Sequence, residues 1–308
     1  MTIDPRLYNV NVFCPTPTDA GGNIDIPRLE RMVGTAVDTG AQAVTIFGSV
    51  GTVGYYPDDQ RKAAAEAAVA ASAGRAHVAV GCGAMRTETV IDLARHAEAI
   101  GADSALVVPV AYWVLNEAEI LAHYKAIHDA TGIAIGLYNN PRLTGNDMTP
   151  EILARLAEAL PRAAYVKESG ADIHRMALTR RLVGDRLAIL LGRENLGWES
   201  MALGADGWTS VLAAWKFKDV AEVFGLMKDA KDYQLAWEKQ QKHLPLGDFM
   251  LTRGLARVVY NVWDLVGDPI GTPPRPLKKL SDAADLAELA RLMELSEIPL
   301  AGAARNAA

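Results

Sequence analysis

The chain has 308 residues and a mass of 33.0 kDa, is 50% hydrophobic and 22% charged, and so falls among ordinary folded proteins; disordered, collagen-like and fibrous classes are excluded. Lys+Arg 31 against Asp+Glu 37 gives a net charge of −6, and the basic residues are scattered, which argues against a nucleic-acid partner. Two cysteines, Cys14 and Cys82, rule out a disulfide framework and read as buried thiols of a cytoplasmic protein, and neither a leader nor a membrane span of roughly 18 apolar residues is visible.

In chain order, eight short apolar runs read as strands, at 10–13, 43–47, 77–80, 105–108, 133–137, 163–166, 188–191 and 207–211. Between them lie Ala-, Leu- and Glu-rich stretches of helical period, such as Val90, Leu93, Ala97 and Ile100. Gly40, Gly101, Gly132 and Gly204 each stand just before a strand, where a left-handed glycine ends a helix. Thr149-Pro150-Glu151 reads as the opposite signal, a cap followed by proline in the first turn.

Strands that are apolar throughout and each followed by a helix predict an α/β fold, a closed parallel (β/α)8 TIM barrel, over an open doubly wound sheet. We place the barrel at residues 1–230. Past Val211 only helical patterns remain, with Leu251, Leu255, Val258, Val262 and Leu265 on one stripe and Leu286, Leu289, Ala290 and Met293 on another. Residues 231–308 are therefore expected to form a C-terminal helical extension packed on the barrel, ending in the frayed tail AGAARNAA.

A barrel carries its active site at the carboxyl ends of its strands. Strand two is followed by Gly48-Ser49-Val50-Gly51, strand five by Tyr138-Asn139-Asn140-Pro141 and strand six by Lys167-Glu168-Ser169. A lysine among apolar walls loses basicity, and its neutral amine can attack a carbonyl to give a Schiff base; the alternative is a lysine paired with a carboxylate such as Glu168. Tyr138 on the neighbouring strand could pass protons to that amine or be a core tyrosine, and the Gly-Ser turn could hold an anion or be merely a turn. The six histidines have no HxH or HExxH spacing and the cysteines no CxxC, so no metal site is expected; there is likewise no phosphate loop or dinucleotide fingerprint, and no cofactor is expected.

Taken together in order, GSVG at 48–51, YNNPRLTG at 138–145 and VKES at 166–169 resemble the dihydrodipicolinate synthase and N-acetylneuraminate lyase family of Schiff-base aldolases and dehydratases, over about residues 8–295. The resemblance implies that Lys167 forms an imine with a 2-oxo acid and that Tyr138 transfers protons. It further implies that Ser49, with the amides of Ser49 and Val50, holds the substrate carboxylate, that Gly192 and the Thr209 carbonyl line the pocket, and that the protein is a homo-oligomer, a dimer or tetramer.

Several positions depart from the family pattern. Val50 replaces a hydroxyl residue, Thr52 a glutamate, and Ala111 the tyrosine lent to a neighbouring subunit, a place Tyr112 would take after a shift of one residue. Leu143 stands where synthases have the arginine for the second substrate's carboxylate, with Arg142 beside it. These departures lead us to expect a lyase for a 2-oxo acid from sugar-acid, hydroxy-amino-acid or aromatic catabolism, and little synthase activity. The alternatives are a synthase or neuraminate lyase proper with an altered proton relay, and a barrel that binds a 2-oxo acid without turnover.

Overall fold

In a computed structural model, which describes residues 3–301, eight parallel strands close into a barrel in chain order, with the last hydrogen-bonded to the first. They are β1 (Val10–Phe13), β2 (Ala43–Ile46), β3 (His77–Gly81), β4 (Ser104–Val107), β5 (Ala134–Asn139), β6 (Ala163–Glu168), β7 (Ala188–Leu191) and β8 (Gly207–Ser210). Every strand residue except Ala134 is buried, because one face fills the barrel and the other meets the surrounding helices. The fold is a TIM barrel with a C-terminal helical segment.

The helices up to β6 are α1 (Ile26–Asp38), α2 (Asp58–Ser72), α3 (Thr87–Ala99), α4 (Glu117–Ala130), the single turn α5 (Pro141–Thr144) and α6 (Pro150–Ala159). After β6 come α7 (His174–Val183), α8 (Gly197–Ala202) and α9 (Ala213–Gly225), then α10 (Tyr233–Gln241), α11 (Leu244–Arg253), α12 (Leu255–Leu265) and α13 (Ala283–Leu295). None is long and apolar enough to cross a membrane.

Helix α1 shows how the sequence sets these elements: Asp25 accepts from the Arg28 amide at 3.0 Å, Pro27 lies in the first turn, and Leu29, Met32, Val33, Ala36 and Val37 form the buried stripe. Gly40, Gly101 and Gly204 take positive φ (104°, 81° and 94°), as expected at helix ends. Gly132 does not; α4 ends in the extended Thr131, and the Gly132 amide instead donates to the Glu98 carboxylate at 3.0 Å. Thr149 accepts from the Ile152 amide at 3.4 Å, with Pro150 in the first turn of α6.

The expected stripe from Leu251 to Leu265 is broken at Gly254, whose φ of 95° turns α11 into α12. Val258, Val259, Tyr260 and Val262 are buried, and the Tyr260 phenol donates to the Thr16 carbonyl at 2.7 Å, tying α12 to the loop after β1. The tail read as frayed lies, apart from Ala301, outside the described residues. At the floor of the barrel, His77 joins Asp4 at 2.7 Å and Ser104 at 2.8 Å, and Ser104 meets the Tyr165 hydroxyl at 3.0 Å. Arg6 pairs with both Asp4 and Asp103, so the carboxylates around His77 already have a cation.

The pairing of β5 with β6 decides the geometry of the opposite end. Ile135 pairs with Ala163, but the next pair is Gly136 with Tyr165, so Ala164 is an extra residue, a β-bulge. Unbulged pairing would set Tyr138 beside Val166; the bulge sets it beside Lys167. Gly136 is part of this device, since a Cβ there would overlap the Tyr165 ring. Gly136→Ala is expected to destabilise the fold by about 1–3 kcal/mol through overpacking, measured as a lower midpoint in urea.

Candidate active site

Lys167 ends β6 with 5% of its surface exposed and lies on the wall of a cavity of about 440 Å³ at the carboxyl ends of the strands. Its Nζ lies 3.7 Å from the centre of the Phe13 ring and 4.0 Å from that of Tyr138. Burial holds the amine below the usual lysine range, opposed by Tyr138 and by the charge of Glu194. Gly192 makes room for it, because a Cβ there would stand 3.0 Å from Lys167 Cε and collide with the Ser169 hydroxyl.

Glu168, the carboxylate that could have paired with Lys167, is engaged elsewhere. Asn139 Nδ2 donates to both its oxygens at 3.0 Å, the Gly170 amide donates at 2.5 Å, and Arg175 lies 3.5 Å away. Burial still pushes this carboxyl above its ordinary range, with Arg175 opposing. The structure thus separates the two readings of Lys167: its amine faces aromatic walls, and its sequence neighbour is consumed by a network that also fixes the β5 loop through Asn139 and Asp147.

The Tyr138 hydroxyl is 2.8 Å from Ser49 Oγ and accepts from Asn140 Nδ2 at 2.9 Å; the same amide reaches Ser49 Oγ at 3.4 Å. An amide NH2 only donates, so the phenol oxygen accepts from Asn140 and its own proton is left for Ser49. Burial would raise the phenol, but the Lys167 amine and the hydrogen bonds the phenol shares with Ser49 and Asn140 outweigh it and hold Tyr138 below its ordinary value.

The sequence-predicted residues are largely brought together. Ser49, Val50, Tyr138, Arg142, Lys167, Gly192 and Thr209 all line the one cavity. Val50 is buried and brings a methyl surface to the cavity wall. Thr209 donates its hydroxyl to the Leu191 carbonyl at 2.5 Å, and Arg142 donates to the Leu251 carbonyl at 2.6 Å. Tyr112 stands apart: it is 87% exposed, lies outside the cavity of its own chain and packs edge-on to Trp113.

Two residues of the site were not found from the sequence. Asn140 is the third residue of the YNNP segment, and only the folded turn shows its amide bent back onto the phenol two residues earlier. Glu194, two residues after Gly192, is fully buried beside the cavity and accepts from Ser210 Oγ at 2.9 Å, from the Val211 amide and from the Leu212 amide at 3.4 Å. Burial, incompletely offset by these donors and by Lys167, pushes its carboxyl up to about 7.

These placements give two expected outcomes. Asn140→Val removes one donor to the phenol, so the Tyr138 titration, read as an ultraviolet difference against Tyr138→Phe, should move upward, and proton transfer through the phenol should slow about fivefold, as for one lost hydrogen bond of about 1 kcal/mol. For Glu194 the folded value lies above the unfolded one, so its contribution to stability is full below about pH 4.5 and is lost as pH rises through about 7. Wild type should lose on the order of 3 kcal/mol relative to Glu194→Gln across that window in urea unfolding.

The comparisons agree with this geometry. Residues 6–294 match the Dihydrodipicolinate synthetase family. A 4-hydroxy-tetrahydrodipicolinate synthase of Xanthomonas campestris pv. campestris is 35% identical over 205 residues, 67% of this chain and 68% of that protein. The enzyme of the same name from Roseobacter denitrificans is 32% identical over 264 residues, covering 85% of this chain and 89% of the relative. Among solved structures, a dihydrodipicolinate synthase from Agrobacterium tumefaciens superposes with a TM-score of 0.88 at 29% identity, covering 95% of this chain and all of the other (100%). The protein whose barrel sets Lys167 beside Tyr138 belongs to the dihydrodipicolinate synthetase family and is an enzyme, a lyase of the lysine Schiff-base class.

Proposed function

We propose that the protein binds pyruvate or a related 2-oxo acid as an imine on Lys167 and breaks or forms a bond at the carbon next to that imine. The observation that carries this reading is the buried Lys167 amine packed against the Tyr138 phenol. The neutral amine adds to the C2 carbonyl, and the oxygen leaves as water after taking up the protons shed by nitrogen. Tyr138, coupled to Ser49, supplies and recovers those protons. The protonated imine then accepts the electron pair of the bond broken at C3, giving an enamine that is reprotonated or attacks an electrophile.

The carboxylate of the 2-oxo acid would lie on the Ser49–Val50 turn. Among the described residues, the amides of Ser49 and Val50 donate to no protein acceptor, and they are therefore free for an anion. Gly192 and Thr209 would bound the same pocket. No external cofactor enters this chemistry, because the lysine itself provides the electron sink.

The names of the relatives favour the synthase alternative, in which the enamine condenses with an aldehyde, over a role in sugar-acid or aromatic catabolism. Val50, Ala111 and Leu143 bear on the second partner and on proton delivery, so a synthase of this sequence would use Ser49 for the relay, with Asn140 holding the phenol in place. The reading also makes the protein a homo-oligomer that, as in its family, lends an aromatic side chain across subunits. Tyr112, Trp113, Val114 and Leu143 are exposed at 87%, 78%, 74% and 63% and form the apolar surface such an association would bury.

Borohydride added with pyruvate should attach the reduced adduct to Lys167 and nowhere else. Lys167→Ala should abolish both labelling and turnover, and Tyr138→Phe should keep binding while losing roughly 10²- to 10⁴-fold in rate. An adduct mapped to another lysine, or none with any 2-oxo acid, overturns the assignment; assay with pyruvate and aspartate semialdehyde separates the synthase from the other lyase readings.

A further inference from the structure

We propose that Tyr260 is a positioning residue for the Ser49–Val50 turn, holding in place, through Thr16, the two amides on which the carboxylate of the 2-oxo acid rests. The inference rests on the Schiff-base reading and on the carboxylate place proposed above, and it gives the C-terminal helices a part in substrate binding. Two buried hydrogen bonds in series carry it. The Tyr260 phenol donates to the Thr16 carbonyl at 2.7 Å, and the Thr16 hydroxyl donates to the Gly51 carbonyl at 2.7 Å.

Thr16 is buried between Pro15 and Pro17 in the loop after β1. A proline fixes its own φ and confines the residue before it to extended backbone, so the carbonyl and hydroxyl of Thr16 move as one stiff piece. Two residues on, Thr18 is bound to the C-terminal segment as well: its amide donates to the Ile270 carbonyl at 2.9 Å and its hydroxyl to the Thr272 carbonyl at 2.8 Å. The loop is thus a strap held from the C-terminal side at two places. Tyr260, fully buried on α12, is the place that lies in line with the turn, and the Thr52 side chain at the end of that turn stands beside the same phenol.

The turn needs an outside hold. Thr52 is left-handed at φ 51°, a conformation that strains a β-branched residue and persists only where its neighbours impose it. Gly51 is pressed on backbone, since a Cβ there would stand 2.7 Å from the Phe47 nitrogen and 3.2 Å from the Cys14 carbonyl oxygen. Among the described residues the Gly51 carbonyl accepts from Thr16 alone, and the Thr16 carbonyl from Tyr260 alone. Losing either donor leaves a buried carbonyl unpaired, and the turn answers by shifting. Ser49 and Val50, whose amides await the anion, shift with it.

The test measures, by borohydride trapping and mass spectrometry of the full chain, the half-saturating concentrations of pyruvate and of its uncharged methyl ester, corrected for their relative reactivity towards butylamine. Wild type is expected to prefer pyruvate. In Tyr260→Phe, which keeps the ring and loses the hydroxyl, and in Thr16→Val, that preference should fall about fivefold while the ester is unaffected. Thr16→Ser should retain it, and the double variant Tyr260→Phe/Thr16→Val should be no worse than either single one, because the bonds act in series. Folded variants that keep the wild-type preference overturn the proposal even if their urea midpoints fall, since a merely structural hydroxyl would cost stability alone. A loss shared equally by pyruvate and ester overturns it too. Should Tyr260→Phe fail to fold, Thr16→Val decides by the same criteria; collapse of both shows that the hydroxyls hold the fold and not the turn, and overturns it as well. Wild type that labels Lys167 equally with acid and ester overturns the carboxylate place and the inference with it, and absence of a Lys167 adduct with either overturns the Schiff-base reading itself.

Discussion

A single amine kept out of water organises this molecule. A charged lysine in a site as dry as that of Lys167 is disfavoured by its lost hydration, and the partners that would normally compensate it have been withheld. Phe13 and Tyr138 present ring faces, Gly192 presents no side chain, and Glu168 is drawn away by Asn139, Gly170 and Arg175. Each of these arrangements leaves the nitrogen lone pair available to a carbonyl carbon. Glu194, buried and raised by the same dry surroundings, is a carboxylate whose charge still reaches it.

The β-bulge at Ala164 is what makes the constraint productive. A parallel barrel with regular pairing would have set Tyr138 one residue short of Lys167 and, because strand side chains alternate, would have paired the phenol with Val166. The extra residue brings two interior-facing groups side by side, and Gly136 admits the Tyr165 ring that packs where the strand bends. Once the phenol is there, Ser49 from the loop after β2 and Asn140 from the β5 turn complete its hydrogen bonds. Three separated segments thereby act on one proton.

Lys167, Tyr138 and Ser49 lie together on one cavity, to which Val50 and Leu143 bring apolar side chains while Ala111 stands outside it. Asn140 donates to the phenol, so Tyr138 has a polar partner besides Ser49. The outer wall is made in part by α11 and α12, which meet at Gly254.

Periodicity alone determined most of the architecture. Eight runs apolar on both faces alternating with amphipathic stretches admit few arrangements other than a closed parallel barrel, and such a fold fixes the end of the barrel that carries function. Lys167, Tyr138 and Ser49 were legible because each follows an apolar run, a position that depends on local sequence, although the strands themselves extend to include Tyr138 and Lys167. The stripe from Leu251 to Leu265 misled because a helix-breaking glycine inside an apolar pattern is weighed by its φ, which only packing imposes. Gly132 failed as a helix end for the same reason, since Glu98 from another helix claimed its amide. The register of β5 on β6, the turning of Asn140 onto the phenol and the burial of Glu194 were decided by tertiary structure. They join residues far apart in the chain, or side chains whose direction is set by neighbours, and no spacing within one segment encodes either.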